Sequence, residues 1–329
     1  MSNPVFDDAW GEVTDPVAAG LKVVALGGGH GLAASLSALR TFCTDLTAVV
    51  TVADNGGSSG RLRQEFGVLP PGDLRQALAA LCRDDEWGRT WAQLLQHRFE
   101  GGGDLHHHAV GNLLIVALWE LLDGHVEGLD WVGRLLGAQG RVLPMAAVPI
   151  DIEAQVRGAD AERPNELERV QGQVQVATTT GLVESVELMP ADPPACAEAL
   201  EAVHAADWVI LGPGSWYTSV LPHLLVPQLR AALTKTSGRR CVTLNVTAQD
   251  GETDGFTSST YLEVLALHAP DLQIDVVLAD TSGVVDMPML EETVHGLGAE
   301  LVIADVAAAD GSPRHDVTRL AAAYARILR

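Results

Sequence analysis

The stretch "LKVVALGGGHGLAASLSALR", residues 21–40, reads as an apolar strand, a glycine-rich turn and the start of a helix. Residues 22–26 form a strand that is apolar from Val23 onward, and apolar residues then recur at helical spacing. Glycine lets a backbone approach a ligand closely, and the first turn of a helix offers unpaired N–H groups and a positive dipole end. The order therefore predicts an α/β protein with an anion or nucleotide site at Gly28, Gly29, His30 and Gly31.

This turn lacks the motifs of two common nucleotide sites. Leu32 stands where the dinucleotide motif GxGxxG has its third glycine, and no Gly-Lys-Ser/Thr of a P-loop follows. A nicotinamide-dependent dehydrogenase is therefore disfavoured. The alternative to a ligand site is an ordinary tight turn in which His30 caps or packs.

Composition and charge narrow the class of protein. The 329 residues are 47% hydrophobic and 19% charged, as in a globular protein. A formal charge of −22 repels nucleic acids and anionic membranes, and no run reaches 18 apolar residues, so neither nucleic-acid binding nor membrane insertion is predicted. The four cysteines form no CxxC pair, which predicts a reduced, cytoplasmic setting. Residues 1–20 are acidic and predict a disordered tail.

The rest of the chain alternates strand and helix patterns. This alternation predicts a Rossmann-like α/β fold over residues 21–329, a single domain whose mostly parallel sheet carries helices on both faces. Between about 140 and 190, three stretches alternate apolar and polar residues, which predicts a small antiparallel β excursion. These stretches are 148–157, 172–177 and 182–188. The polar residues 158–172 carry no clear pattern, and their order is left open.

A second candidate ligand loop is "ADNGGSSGRLR", residues 53–63. It follows a β-branched strand and combines three glycines, two hydroxyls and two arginines, a set suited to a diphosphate or a sugar. A flexible linker would have a similar composition, but the preceding strand and the arginine pair favour a ligand site. The predicted ligand-binding residues here are Asp54, Asn55, Gly56, Gly57, Ser58, Ser59 and Arg61.

Two further motifs place polar side chains at predicted helix starts. In "LPPGDLRQAL", residues 69–78, Asp73 and Arg75 are predicted as ligand-binding residues. Asp73 falls where an N-cap would stand, which is the alternative role for it, and Arg75 lies inside the same helix facing the ligand loop. In "LHHHAVGNLLI", residues 105–115, three adjacent histidines cannot point to one metal, so no metal site is predicted. A helix beginning after His108 would present His108 and Asn112 to a pocket.

The stretch "VILGPGSWYTSVLPHLLVPQL", residues 209–229, repeats the order strand, glycine turn and helix. Two such loops at the carboxyl ends of parallel strands predict a cleft at a topological switch point. The predicted ligand residues here are Gly212, Gly214, Ser215, Tyr217 and Thr218. No GxSxG or HExxH motif occurs and no nucleophile and base lie close in sequence, so no catalytic residue is predicted.

Together with "GRVLP" (140–144), "AQDGETDG" (248–255) and "PRHD" (313–316), these motifs carry a resemblance that runs from about residue 21 to the end. The chain resembles the YvcK family of gluconeogenesis factors, relatives of the CofD phospholactate transferases. The resemblance implies UDP-N-acetylglucosamine as ligand, no required cofactor, and a regulatory role in cell-envelope synthesis and cell shape during gluconeogenic growth. It also implies an envelope-synthesis protein as partner and implicates Arg314 in ligand binding.

The alternative is a CofD-like transferase acting on a 2-phospholactate-type substrate activated by a nucleoside diphosphate, with Mg²⁺ held by Asp54. His30 replaces the threonine of the family's usual GGGTGL, and Asn55 replaces the second aspartate of its usual ADDGGSSG. The absence of this second aspartate weakens the hypothesis of a metal-dependent transferase. Sensing is therefore favoured over catalysis, and association of the chain with itself is left open.

Overall fold

The computed structural model describes residues 18–160, 162–249 and 251–329, and within them ten strands form two sheets. The main sheet is parallel and runs in the order β10-β9-β8-β7-β1-β2-β3. A second, antiparallel sheet has the order β5-β4-β6. The strands are β1 (Ala18–Gly27), β2 (Cys43–Val50), β3 (Arg141–Pro144), β4 (Asp151–Arg157), β5 (Leu167–Gln171), β6 (Leu182–Met189), β7 (Trp208–Leu211), β8 (Arg239–Thr243), β9 (Val276–Asp280) and β10 (Glu300–Ala304).

Thirteen helices in the described residues connect and cover these strands, together with a π-helical turn at Trp216–Val220. They are α1 (Gly29–Leu39), α2 (Gly57–Phe66), α3 (Gly72–Ala80), α4 (Glu86–Gln96), α5 (Val110–Leu122), α6 (His125–Leu136), α7 (Gln173–Ala177), α8 (Ala197–Ala205), α9 (Pro222–Leu225), α10 (Pro227–Lys235), α11 (Ser258–His268), α12 (Met287–Gly296) and α13 (Val317–Ile327). No helix in this part of the chain is long and apolar enough to cross a bilayer.

The middle of β1 lies at the centre of the core. Its residues Val23 to Leu26 are all at most 2% exposed. Successive strand residues point to opposite faces, so both faces of the sheet are covered at this strand. The predicted α/β class, with a mostly parallel sheet and a small antiparallel excursion, is confirmed.

The strand order reverses beside β1, and this reversal positions the site. The chain proceeds outward from β1 to β2 and β3, then returns to place β7 on the other side of β1. The loops that leave the carboxyl ends of β1 and β7 are therefore neighbours, as expected at a topological switch point. Thr51 ties them together, because its backbone N–H donates to Gly27 O (2.9 Å) and its hydroxyl donates to Ser219 O (2.9 Å).

The small sheet differs from prediction in one strand. Residues 172–177, predicted as a strand, form α7 instead, and the third strand is β5, within the stretch that showed no pattern. Gly172 ends the strand, because its φ of +104° lies outside the extended range. The alternation in "GQVQVA" is too short to separate strand from helix.

Three other local predictions are corrected. Most of the glycine-serine stretch 53–63 lies in helix α2 rather than in a loop; Gly56 N–H donates to Asp54 Oδ1 (2.8 Å) and so starts the turn into that helix. Asp73 is not the N-cap of α3, because the helix begins at Gly72, two residues earlier than predicted, and Pro71 holds the N-cap position. Strand β1 begins at Ala18, inside the stretch predicted as a tail, whose residues 1–17 lie outside the described residues.

A buried histidine at the start of α9 makes the fold sensitive to acid. His223 is fully buried, its Nε2 lies 3.0 Å from Val49 O, and burial lowers its pKa from 6.5 to about 4. Between these values the unfolded chain binds a proton that the folded chain does not, so stability falls as pH decreases from 6.5 towards 4.

We therefore expect this group alone to remove about 2 kcal/mol of unfolding free energy between pH 7 and pH 5. Urea denaturation of the wild type and His223→Gln at both pH values measures it. The variant should be less stable at pH 7 but should lose less on acidification. Equal losses in the two proteins would show that His223 titrates normally.

Candidate functional site

A cleft of about 990 Å³ opens at the switch point, at the carboxyl ends of β1, β7 and β8. Four chain segments form it: the start of α1, the loop after β7, the loop after β8 and residues 308–317, which precede and begin α13. Its lining includes His30, Gly31, Ala33, Ala34, Ser37, Pro213, Gly214, Asn245, Thr247, Ala248, Gln249, Ala308, Gly311, Pro313, Arg314, His315, Asp316 and Val317.

Helix α1 points its N-terminus towards this cleft. Gly28 holds the N-cap position and has no side chain with which to cap the helix, and no acidic residue stands in the first turn. The side chain of Asp73, from α3, accepts a hydrogen bond from the Gly29 N–H. The exposed His30 and the partly buried Gly31 lie in that turn and line the cleft. The first-turn N–H groups and the positive end of the helix dipole therefore favour an anion here.

Gly31 also sets the width of the cleft. A methyl group on its Cα would lie within 2.6 Å of Gly214 Cα and would overlap the carbonyl of Pro213. The loops after β1 and β7 are thus in backbone contact, and only a residue without a side chain fits between them.

Two carboxylates lie beside the first glycine turn. A Cβ on Gly28 would come within 2.6 Å of Asp73 Oδ2, and one on Gly72 within 2.8 Å of Asp54 Oδ2. Burial, reinforced by the charge of Asp54, raises the pKa of Asp73 from 3.8 to about 7, although a hydrogen bond from the Gly29 backbone lowers it. Asp54 and Asp73 therefore form a like-charged pair next to the turn.

Ser58, His108 and Asn112, each predicted as a ligand-binding residue, contact one another. Ser58 Oγ lies 3.0 Å from His108 Nδ1, and it accepts hydrogen bonds from Asn112 Nδ2 (3.0 Å) and from the Ala109 N–H (3.3 Å). With both lone pairs engaged, the Ser58 hydroxyl donates its proton to Nδ1. Burial lowers the pKa of His108, so this ring is neutral near pH 7. The three side chains are buried, and Asn112 Oδ1 has no hydrogen-bond partner among the described residues.

Three other predicted residues are engaged within the protein. Arg61 donates to the carbonyl oxygens of Asp104 and His106, and buried Arg75 donates to Gln96. The Asn55 side chain accepts from the Val174 N–H (3.2 Å) and donates to Gln175 (3.1 Å), which attaches α7 to the start of α2. Gly56, Gly57 and Ser59 lie at the start of α2, where Asn112 contacts Ser59 at 3.5 Å.

In the predicted ligand loop after β7, the hydrogen-bond donors are engaged by a carboxylate from the loop after β8. Glu252 accepts from the Tyr217 and Thr218 N–H groups (2.8 and 3.0 Å) and from the Ser215 hydroxyl (2.7 and 2.6 Å to its two oxygens). Burial raises the pKa of Glu252, although these donors lower it. The Tyr217 hydroxyl donates to Val183 O (3.1 Å). Ser215, Tyr217 and Thr218 thus lie together and contact Glu252.

Other residues of this second loop do face the cleft. Gly214 lines it and is held by Asn245, whose side chain accepts from the Gly214 N–H and donates to the Gly214 carbonyl, both at 2.9 Å. Gly212 precedes it in a positive-φ conformation. Arg314 stands on the cleft's opposite segment, 70% exposed by side chain and 3.3 Å from Asp310.

Sequence reasoning missed the residues that follow β8. Asn245, Thr247 and Gln249 line the cleft, and Glu252 anchors their loop, yet none was predicted as a site residue. The available signal was position: they follow the carboxyl end of the strand beside β7, where ligand groups collect in open α/β sheets.

Comparisons with known proteins agree with this architecture. The profile of the family described as 2-phospho-L-lactate transferase CofD matches residues 23–318. The chain is 53% identical over 303 residues to a putative gluconeogenesis factor of Mycobacterium tuberculosis (strain ATCC 25618 / H37Rv), covering 91% of this chain and 88% of the relative. It is 34% identical over 318 residues to a gluconeogenesis factor of Listeria monocytogenes, covering 93% and 95%.

A solved structure is also similar. The crystal structure of a UPF0052 family protein from Bacillus halodurans superposes with a TM-score of 0.81 at 33% identity, covering 92% of this chain and 98% of that one.

Proposed function

The chain belongs to the CofD family, in which it is similar to proteins named gluconeogenesis factors, and from this premise we propose that it is a ligand-sensing regulator that binds a UDP-sugar. UDP-N-acetylglucosamine is the proposed ligand. The proposed role is the control of cell-envelope synthesis and cell shape during gluconeogenic growth, through a protein partner in envelope synthesis.

One observation carries the proposal: the first turn of α1 and the Arg314 guanidinium line the same cleft. A diphosphate fits this pair, since a helix N-terminus favours anions and a guanidinium forms bidentate, charge-assisted hydrogen bonds with phosphate. The net charge of −22 means that the protein as a whole repels an anion. The attraction for a diphosphate must therefore come from these groups of the cleft.

The size and lining of the cleft suit the remainder of a nucleotide sugar. Its volume of about 990 Å³ lies at the upper end of the roughly 300–1,000 Å³ usual for small-molecule sites. Asn245, Thr247 and Gln249 line it with amide and hydroxyl groups, which recognise neutral polar atoms of a base or sugar.

Sensing rather than catalysis is supported by how the candidate nucleophiles are engaged. The lone pairs of the Ser58 oxygen are occupied by Asn112 and Ala109, and the Ser215 hydroxyl donates to Glu252. Neither serine is among the residues that line the cleft, so neither oxygen is presented to a ligand there.

The alternative function is a CofD-like transfer that uses Mg²⁺ and a nucleoside diphosphate-activated substrate, and the pair Asp54 and Asp73 favours it. Mg²⁺ is commonly held by one or two carboxylates together with phosphate oxygens and water, so the pair fits this ion. Asp54 and Asp73 would hold it, and bound there it would neutralise charge on a diphosphate. The raised pKa of Asp73 agrees, because two neighbouring, partly buried carboxylates resist ionisation.

Thermal-shift titration of the wild type separates these functions. We expect UDP-N-acetylglucosamine without Mg²⁺ to raise the melting temperature, since a ligand at about 100 times its Kd adds about 2.7 kcal/mol of stability. GDP and NAD should do less. Stabilisation by GDP only with Mg²⁺, and none by the UDP-sugar, would replace the sensor with the transferase.

Arg314→Ala tests where the diphosphate binds. We expect the Kd for UDP-N-acetylglucosamine, measured by calorimetry, to rise about tenfold or more, because a charge-assisted hydrogen bond contributes about 1.5–3 kcal/mol. The melting temperature of the free protein should hardly change, since the Arg314–Asp310 pair is exposed. Arg163→Ala, which removes an exposed arginine outside the cleft lining, is the control. Wild-type affinity in Arg314→Ala would contradict this placement.

A further inference from the structure

The buried carboxylate of Glu252 contacts the loop after β7, which has the strand, glycine turn and helix order of a phosphate site. The residue is 4% exposed, and it accepts from two successive backbone N–H groups, Tyr217 and Thr218, at the start of the π-helical turn. The Ser215 hydroxyl completes the set.

The chemistry of this contact is that of anion recognition. Backbone N–H groups at a helical start, joined by a hydroxyl, are the donors that bind phosphate oxygens in glycine-turn sites. Here a carboxylate of the chain itself accepts from all of them. Glu252 therefore takes three donors of the loop after β7, whereas at the N-terminus of α1 Gly28 has no side chain and the Asp73 carboxylate accepts from the Gly29 N–H.

The same segment that carries Glu252 forms a wall of the cleft. Asn245 holds both backbone groups of Gly214, and the Gln249 N–H donates to the Thr253 hydroxyl (2.8 Å) beside Glu252. Asn245 and Gln249 line the cleft. The hydrogen bonds of Glu252 therefore fix the loop after β8, which carries these cleft residues, to the loop after β7.

We propose that Glu252 is a positioning and specificity residue: its carboxyl group fills the second glycine loop, confines the phosphates of the ligand to the N-terminus of α1, and holds the loops after β7 and β8 in binding geometry. The effect on ligand binding rests on the proposed function. The anion site itself does not, because it can be tested without a nucleotide.

Glu252→Ala vacates the site and makes it testable with acetate as a substitute carboxylate. In the ligand-free variant, acetate should raise the melting temperature by about 3 °C relative to chloride at equal ionic strength. Wild type and Glu292→Ala, which lacks an exposed glutamate on α12, should not respond. No acetate response in a folded Glu252→Ala would overturn the internal-anion assignment.

Ligand binding is then measured by calorimetry in the same proteins. We expect Glu252→Ala to bind UDP-N-acetylglucosamine at least about tenfold more weakly than wild type, with acetate restoring most of the affinity. A merely structural residue would lower the melting temperature without this rescue of affinity. Wild-type affinity in Glu252→Ala would overturn the positioning role. So would tight binding of pyrophosphate to the loop after β7 of the wild type, because the pyrophosphate would then have displaced Glu252 from its donors.

Glu252→Gln keeps the test available if the alanine variant does not fold. Its amide matches the carboxylate in shape but has one acceptor oxygen, and its NH₂ group faces N–H donors. We expect a folded protein with weakened ligand binding and no acetate rescue; unchanged affinity would contradict the need for a negative charge. If the wild type itself binds no UDP-sugar, the proposed function fails, while the acetate response of Glu252→Ala still decides the internal anion.

Discussion

Gly31→Ala is expected to lower the unfolding free energy by about 3 kcal/mol or more and to abolish most nucleotide-sugar binding. The added Cβ would lie 2.6 Å from Gly214 Cα and against the Pro213 carbonyl, both of them backbone atoms. Backbone cannot rotate away as a side chain can, so the loops after β1 and β7 must separate. Because residues of the same two segments line the cleft, the loss of stability and the loss of affinity have one cause.

Urea denaturation and calorimetric titration with UDP-N-acetylglucosamine measure the two losses. The matched control is Gly296→Ala at the end of α12, where no heavy atom lies within 4 Å of the added methyl group. The control should be as stable as wild type or slightly more so, because alanine favours a helix over glycine. Wild-type stability in Gly31→Ala would mean that the two loops are not packed as described.

Asp73→Asn, unlike Gly31→Ala, is expected to raise the unfolding free energy while still weakening ligand binding. The ordinary pKa of an aspartate is 3.8, whereas burial and Asp54 raise that of Asp73 to about 7. Between these values the folded chain holds a proton that the unfolded chain has released, so the cost to stability grows as pH rises from 3.8 to 7 and is complete above 7. Asparagine carries no charge, so at pH 8 the variant should be more stable by about 2 to 4 kcal/mol.

Urea denaturation at pH 5, 6, 7 and 8 measures the difference between variant and wild type, which should increase with pH and level off above 7. Asp45→Asn, an exposed position on β2, should stay within about 0.5 kcal/mol of wild type at each pH. A difference that does not depend on pH would show that Asp73 is ionised normally. If Mg²⁺ stabilises wild type more than Asp73→Asn, the transferase alternative gains support.

A gain in stability on removing a charged group is typical of residues retained for binding. Asp73 and Asp54 repel one another beside the glycine turn. The Gly29 N–H and the charge of Arg75 lower the pKa of Asp73 by less than burial and Asp54 raise it, so ionising Asp73 still reduces the stability of the fold. The pair is therefore where a cation or a hydrogen-bond donor of a ligand would be accepted most favourably.

Much of the fold could be predicted because its signals are local. The apolar run of β1 and the glycine turn into α1 identify the first strand and helix, and the helix expected after His108 begins at Val110. Prediction was wrong where a short segment carries two compatible patterns: "GQVQVA" alternates like a strand, yet Gly172 ends β5 and the segment turns into α7.

The candidate site was predictable in part. Loops at the carboxyl ends of β1 and β7 were expected to form a cleft, and Gly31, Gly214 and Arg314 do line one. The prediction that Ser215, Tyr217 and Thr218 bind the ligand stays untested, and the structure gives their donors a partner within the chain.

The sequence by itself thus determined the α/β class, the parallel alternation and the place of the cleft, because strand periodicity, glycine turns and helix starts depend on neighbouring residues. Only the tertiary structure decided which donors stay open to a ligand. Glu252 reaches Tyr217 across 35 residues of chain, and Asp73 comes beside Gly28 only when α3 packs near the first turn. Such contacts depend on how strands pair and helices pack, and no local pattern specifies them.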